Sequence, residues 1–178
     1  KTHLFQSNVS HYEMMRDLNR QWRQWTIDEP AVFITFNGMS YDEELIRRQF
    51  YWNLFESYLT NTNGNSRLDI LLMMHNVAAF FPDLLNIPLY KDGPAISLKQ
   101  ADIAEANGIE IGDAHDAIAD CKLMISLLEI INNQKPELID FFLSISSKPG
   151  VQAAVQQPGF LGLGEVFRRE VFKYPVVP

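Results

Sequence analysis

Apolar positions at Met15, Leu18, Trp22 and Trp25 recur in steps of three and four. That spacing predicts one face of an amphipathic helix. Ser10 followed by Glu13 reads as a capping box at its start, and Asp28-Glu29-Pro30 ends it. Ala31 to Phe36 is a short, nearly continuous apolar run. It predicts a strand buried on both faces, as in a parallel or mixed sheet covered by helices. Asn37-Gly38 marks a turn. An aromatic-rich helix is expected from about Asp42 to Ser57, then a polar loop over Thr60–Ser66. Leu68 to Met73 fits a strand or the start of a helix running to Phe81, because short apolar runs do not separate the two. Ser97 is expected to cap a helix to about Ala106, stopped by Asn107-Gly108. A long helix is expected from Asp116 to Asn132, with Ala117, Cys121, Met124, Leu128 and Ile131 on one face. Pro136 opens another, to about Ile145. Beyond Lys148-Pro149-Gly150 the composition shifts toward Gly, Gln and Pro before Val166–Phe172. Residues 1–147 therefore read as one domain, and 148–178 as a linker or arm toward a further module, or as an arm packing on the domain.

Composition narrows the class. Of 178 residues, 47% are hydrophobic and 21% charged, the mixture of a folded globular chain rather than a disordered one. No apolar run is long enough to span a membrane. Cys121 is the lone cysteine, so no disulfide framework exists within the chain. Fifteen Lys and Arg stand against 22 Asp and Glu, a formal net charge of −7. That balance disfavours non-specific coating of nucleic acid but leaves room for a local basic site. The lack of a signal pattern and of disulfides fits the cytoplasm.

Two segments carry candidate chemistry. Asp42 stands at a helix start just beyond the end of the best strand, where open α/β sheets place their sites. The segment by itself favours the plainer reading of this residue as a helix cap suited to the positive helix end. In Asp113-Ala114-His115-Asp116-Ala117-Ile118-Ala119-Asp120, three carboxylates and an imidazole fall within one loop and helix start. Asp116 and Asp120 share a face and repel, which a divalent cation would relieve. Oxygen donors of this type suit Mg²⁺ or Mn²⁺ rather than zinc, and His115 has the titration range of a general base. A capped helix with a surface histidine is the competing reading. The aromatics Phe50, Tyr51, Trp52, Phe55 and Tyr58 lie at helical spacing and are expected in the core, although such rings also stack on unpaired bases. Arg47 and Arg48 beside them are expected on a solvated face, with phosphate contact as the alternative.

An Asp after a strand, a helical stretch, and then His115-x-x-x-x-Asp120 resemble the DEDDh 3′→5′ exonucleases. The resemblance sharpens over Phe36-Asn37 through Phe50-Tyr51, Asn65-Ser66-Arg67-Leu68-Asp69, and Ala106-Asn107-Gly108-Ile109-Glu110 before Ala114-His115-Asp116-Ala117. There the chain is similar to the bacterial exodeoxyribonuclease I family, over about residues 31–143. The resemblance implies an α/β, ribonuclease-H-like fold. It implies Asp42 and Asp120 as metal ligands and His115 as the group that deprotonates the attacking water. Two Mg²⁺ (or Mn²⁺) ions would serve a complete member. The implied substrate is the 3′ end of single-stranded DNA, in a DNA-repair setting.

The family's first motif, Asp-x-Glu on the first strand, has no counterpart. The nine residues before the Ser10-capped helix hold no Asp or Glu, and Asp42-Glu43-Glu44 stands at a helix start, in the second motif's place. The chain is therefore expected to be an N-terminally truncated, helix-rich version of the fold with a small residual sheet. With two of four metal carboxylates it is expected to be inactive or weak. A non-catalytic nucleic-acid-binding or interaction module derived from the same fold is the alternative. The edge of Ala31–Phe36 is expected to be covered, either by Val166–Phe172 or by a neighbouring copy in a homo-oligomer.

Overall fold

The computed structural model describes residues 8–91, 93–110 and 117–177. The chain order is α1 (His11–Trp25), β1 (Val32–Thr35), α2 (Asp42–Trp52), β2 (Ser66–Asp69), α3 (Ile70–Phe80), α4 (Gln100–Ala106), α5 (Ala117–Gln134), α6 (Pro136–Ser144), α7 (Lys148–Val155), β3 (Leu161–Phe167) and β4 (Glu170–Val176). Among the described residues β1 pairs with β2, and β3 with β4, as separate two-stranded sheets. Two compact units result, one of residues 1–33 and 38–67, the other of residues 34–37 and 68–178.

In the first unit, α1 begins with the predicted capping box: Ser10 accepts from the Glu13 amide, and the Glu13 side chain accepts from the Ser10 amide. Each group satisfies an amide that the helix leaves unbonded. Met15, Phe50 and Leu59 form the buried centre, with Leu18, Trp22, Ile46 and Phe55 packed against it. Phe50 meets Trp22 and Phe55 edge-on, at centroid distances of 5.7 and 6.2 Å. The predicted aromatic core is thus only partly realised: Tyr51 and Trp52 are 70% and 68% exposed. The helix also stops earlier than expected, at Trp52. The Asn53 side chain bonds back to the Gln49 carbonyl, and Leu54 takes a φ of 61°, a left-handed conformation no helix continues through.

In the second unit the core gathers Leu68, Ile70, Met73, Met74, Val77, Leu85, Ile103, Leu127, Ile131, Leu138 and Phe142. Asp69 ends β2 and caps α3, accepting from the Leu71 amide at 3.0 Å. That resolves the ambiguous Leu68–Phe81 run as a strand end followed by a helix. The buried stripe of α5 is Leu123, Leu127 and Ile131, turned by about one residue from the predicted face, and Cys121 is exposed. Lys99, not Ser97, is the N-cap of α4. Ser97 is buried and donates to the Asp102 carboxylate at 2.5 Å. Asn107 caps the end of α4 and Gly108 turns the chain at φ +72°, as expected.

Two expectations about the strands are corrected. β1 is not buried on both faces: Val32 is exposed and Phe33, Ile34 and Thr35 are half-buried. A two-stranded sheet has too little on either side to bury every side chain. Val166–Phe172 is not a single strand and does not pair with β1: it holds the end of β3, the Arg168-Arg169 turn and the start of β4. It folds on itself as an antiparallel hairpin, with Phe167 opposite Glu170, and the hairpin packs on α3. Gly164 meets α3 so closely that a Cβ there would lie 2.7 Å from the Ala79 Cβ and the His75 carbonyl. The Gly164 amide donates to Asn76 Oδ1 at 2.9 Å, and the Val166 amide to His75 Nδ1 at 3.3 Å.

Candidate active site

Asp42 is the first residue of α2, not its cap. Tyr41 holds the cap position and makes no side-chain cap bond. The capping reading of Asp42 is therefore not realised, although the carboxylate still lies at the favourable helix end. It is exposed, and among the described residues it has no hydrogen-bond or ion-pair partner. Its neighbours are committed elsewhere. Glu43 pairs with Arg67 of β2. Glu44 holds Arg48 at 2.6 Å and also binds Arg47, and the two guanidiniums pull the Glu44 carboxyl below its usual range. Arg47 also donates to the Tyr58 hydroxyl at 3.1 Å. Arg47 and Arg48 are thus ion-paired rather than free for phosphate.

In the second unit, the chain leaves β1 through Asn37, at φ 61°. The buried Asp69 carboxylate holds that exit, accepting from the Asn37 amide at 2.7 Å with the same oxygen that caps α3. Beside it opens a cleft of about 520 Å³. Phe36, Asn37, Leu71 and His75 line one side, and Ile96 to Gln100 with Val166 and Arg169 line the rest. Lys99 and Arg169 give it a basic character, and Asn37, His75, Ser97 and Gln100 supply further polar groups. Burial pushes His75 below the ordinary imidazole range, against the carboxylates of Glu165 and Asp69. Gln100 donates to the Asp120 carbonyl at 2.5 Å, which ties the start of α5 to the cleft lining. The Asp120 side chain is exposed. It lies one turn before Leu123 and Met124, so it continues the core-facing stripe of α5 to the helix N-terminus.

His115, Asp113 and Asp116 lie outside the described residues. Among the described residues, no group of three or more His, Cys, Asp and Glu side chains converges on a metal position. Two exposed carboxylates offset only half the charge of two divalent ions, and each Mg²⁺ seeks a near-octahedral oxygen shell. The described donor set does not fit two ions. His75, Lys99, Gln100 and Arg169 escaped sequence reasoning because they are scattered over α3, α4 and the hairpin and form no motif.

The protein from Escherichia coli K12 named exodeoxyribonuclease I is 32% identical over 136 residues, covering 75% of this chain. The chain is homologous to part of bacterial exodeoxyribonuclease I. The Haemophilus influenzae exodeoxyribonuclease I is 34% identical over 122 residues, covering 67% of the chain. The chain spans 28% and 25% of the lengths of these relatives. No protein-family model matches it. In structure it superposes on E. coli exonuclease I in complex with a dT13 oligonucleotide with a TM-score of 0.77 at 24% identity, over 94% of this chain and 36% of that one. A complex of the same enzyme with a dA16 oligonucleotide gives 0.76 at 25% identity, over 93% and 36%. The α/β fold is thus part of the ribonuclease-H-like architecture of exonuclease I, helix-rich and with small sheets. No helix among the described residues is long and apolar enough to cross a membrane.

Proposed function

We propose that this chain is part of an exonuclease I-type domain that engages the 3′ region of single-stranded DNA, and that by itself it binds without appreciable hydrolysis. Asp42 and Asp120 are assigned as oxygen ligands of a divalent ion, Mg²⁺ or Mn²⁺, and His115 as the base. The setting is cytoplasmic DNA repair. The observation that carries the reading is the cleft. In a chain of net charge −7, Lys99 and Arg169 converge on one groove, beside the neutral His75, whose lining residue Gln100 holds the Asp120 backbone. A cationic, polar groove beside an acidic helix start suits a phosphodiester backbone approaching carboxylates that need a metal to tolerate it.

The test is anisotropy and gel analysis of a 5′-labelled oligothymidylate with Mg²⁺. Binding at low salt, lost as salt rises, with no shortening of the strand, is the expected result. Failure to bind at low salt overturns the reading. The lack of a converging ligand group among the described residues favours a second reading, a binding module with no metal role. Calorimetry with Mn²⁺ separates the two. Heat that Asp120→Ala removes supports the ligand assignment, and absence of heat in both supports the binding module.

A further inference from the structure

The hairpin between β3 and β4 closes on two residues, Arg168 and Arg169, at φ 50° and 68°. A two-residue connection with both central residues left-handed is a type I′ turn, which strongly prefers Asn-Gly because a Cβ is strained there. Arginine twice over breaks that local preference, and such breaks concentrate where a side chain is needed for function. A second observation is independent of the first. The other arginines, Arg16, Arg20, Arg23, Arg47, Arg48 and Arg67, each lie against a carboxylate. Arg168 and Arg169 have no carboxylate partner among the described residues and are exposed. Arg169 is also held in place: its guanidinium lies 3.2 Å from the centre of the Tyr90 ring, and its carbonyl accepts from the Ile96 amide at 3.0 Å. Its side chain reaches the wall of the cleft shared with Lys99 and His75.

We propose that Arg168 and Arg169 form a phosphate clamp at the hairpin tip that extends the cleft and fixes the path of a single-stranded nucleic-acid backbone. The proposal rests on the nucleic-acid reading of that cleft. Arginine suits the role because its planar fork grips phosphate oxygens in pairs and stays charged at every working pH.

The double variant Arg168→Asn/Arg169→Gly installs the preferred turn, so the hairpin is expected to be at least as stable, read as an unchanged or raised thermal midpoint. Its affinity for an oligothymidylate is expected to fall on the order of tenfold at moderate salt, and the slope of log affinity against log salt by about 1.4, for two lost single-strand phosphate contacts. Arg168→Lys/Arg169→Lys, which keeps the charge but not the fork, is expected to recover the slope and only part of the affinity. If the wild-type chain binds oligothymidylate and the Asn-Gly variant binds it equally with the same slope, the clamp is overturned while the cleft reading stands. If the wild-type chain does not bind, the cleft reading itself has failed. An Arg-dependent interaction with an acidic peptide, without oligonucleotide binding, also overturns the clamp.

Discussion

His75 joins the cleft to the hairpin through one lone pair. Its ring accepts the Val166 N–H at Nδ1, which only the neutral imidazole can do. Burial, opposed by Glu165 and Asp69, holds the folded group below its ordinary value of 6.5, so the unfolded chain takes up the proton first as pH falls. The stability due to this group is present above that ordinary value and is lost as pH drops through the lower folded value. Urea midpoints measured from about pH 7 to about pH 5 are therefore expected to fall more steeply in the wild type than in His75→Asn. The asparagine amide oxygen can accept the same N–H without titrating. Equal slopes in the two proteins would count against the assignment. Asp69 shows a different economy: one buried carboxylate oxygen both caps α3 and holds the left-handed exit from β1 at Asn37. The sequence suggested Asp69 only as part of a resembling segment, because the second bond comes from an amide 32 positions away.

At the scale of elements, the hairpin is the piece the pattern could not supply. The usual signal for a two-residue hairpin is Asn-Gly between alternating runs, and here Arg-Arg stands in its place. The strand expected over Val166–Phe172 is instead centred on the turn, with β3 before it and β4 after it. The hairpin's docking depends on glycine at 164, where added bulk meets the backbone of α3 rather than a movable side chain. Gly164→Ala is expected to cost about 1–3 kcal/mol through overpacking. It should also raise hydrogen-exchange rates at the hairpin amides ahead of those in α5. Unchanged protection of the hairpin would show that the close approach is easily relieved. Gly162 faces the tip of the Phe80 ring instead, which can swing aside, so alanine there is expected to be milder.

For the whole molecule, charge and metal set the main expectation. The chain is net acidic, its basic groove is local, and among the described residues no ligand group converges. A folded site that bound Mg²⁺ would raise the thermal midpoint in proportion to the logarithm of free metal. With Asp42 and Asp120 assigned as exposed ligands, binding is expected to be weak, so that the midpoint rises only at millimolar Mg²⁺ and above. No rise at any concentration would count against the ligand assignment and support the binding module.

Local physics wrote much of this protein into its sequence. The capping box of α1, Pro136 at the start of α6, the Asn107-Gly108 stop and the existence of β1 all depend on neighbours within a few residues, and all are found. The segments resembling exodeoxyribonuclease I were likewise readable, because each is a contiguous motif. Tertiary structure decided the rest. Only packing turned the buried face of α5 to Leu123, Leu127 and Ile131, since several apolar stripes on that helix compete at similar hydrophobicity. Only packing left Tyr51 and Trp52 in solvent while burying Phe50 beside them. Only the fold carried His75, Lys99 and Arg169 to one cleft, because their distances along the chain have no period and their meeting rests on helix docking and a hairpin turn that no local rule anticipates.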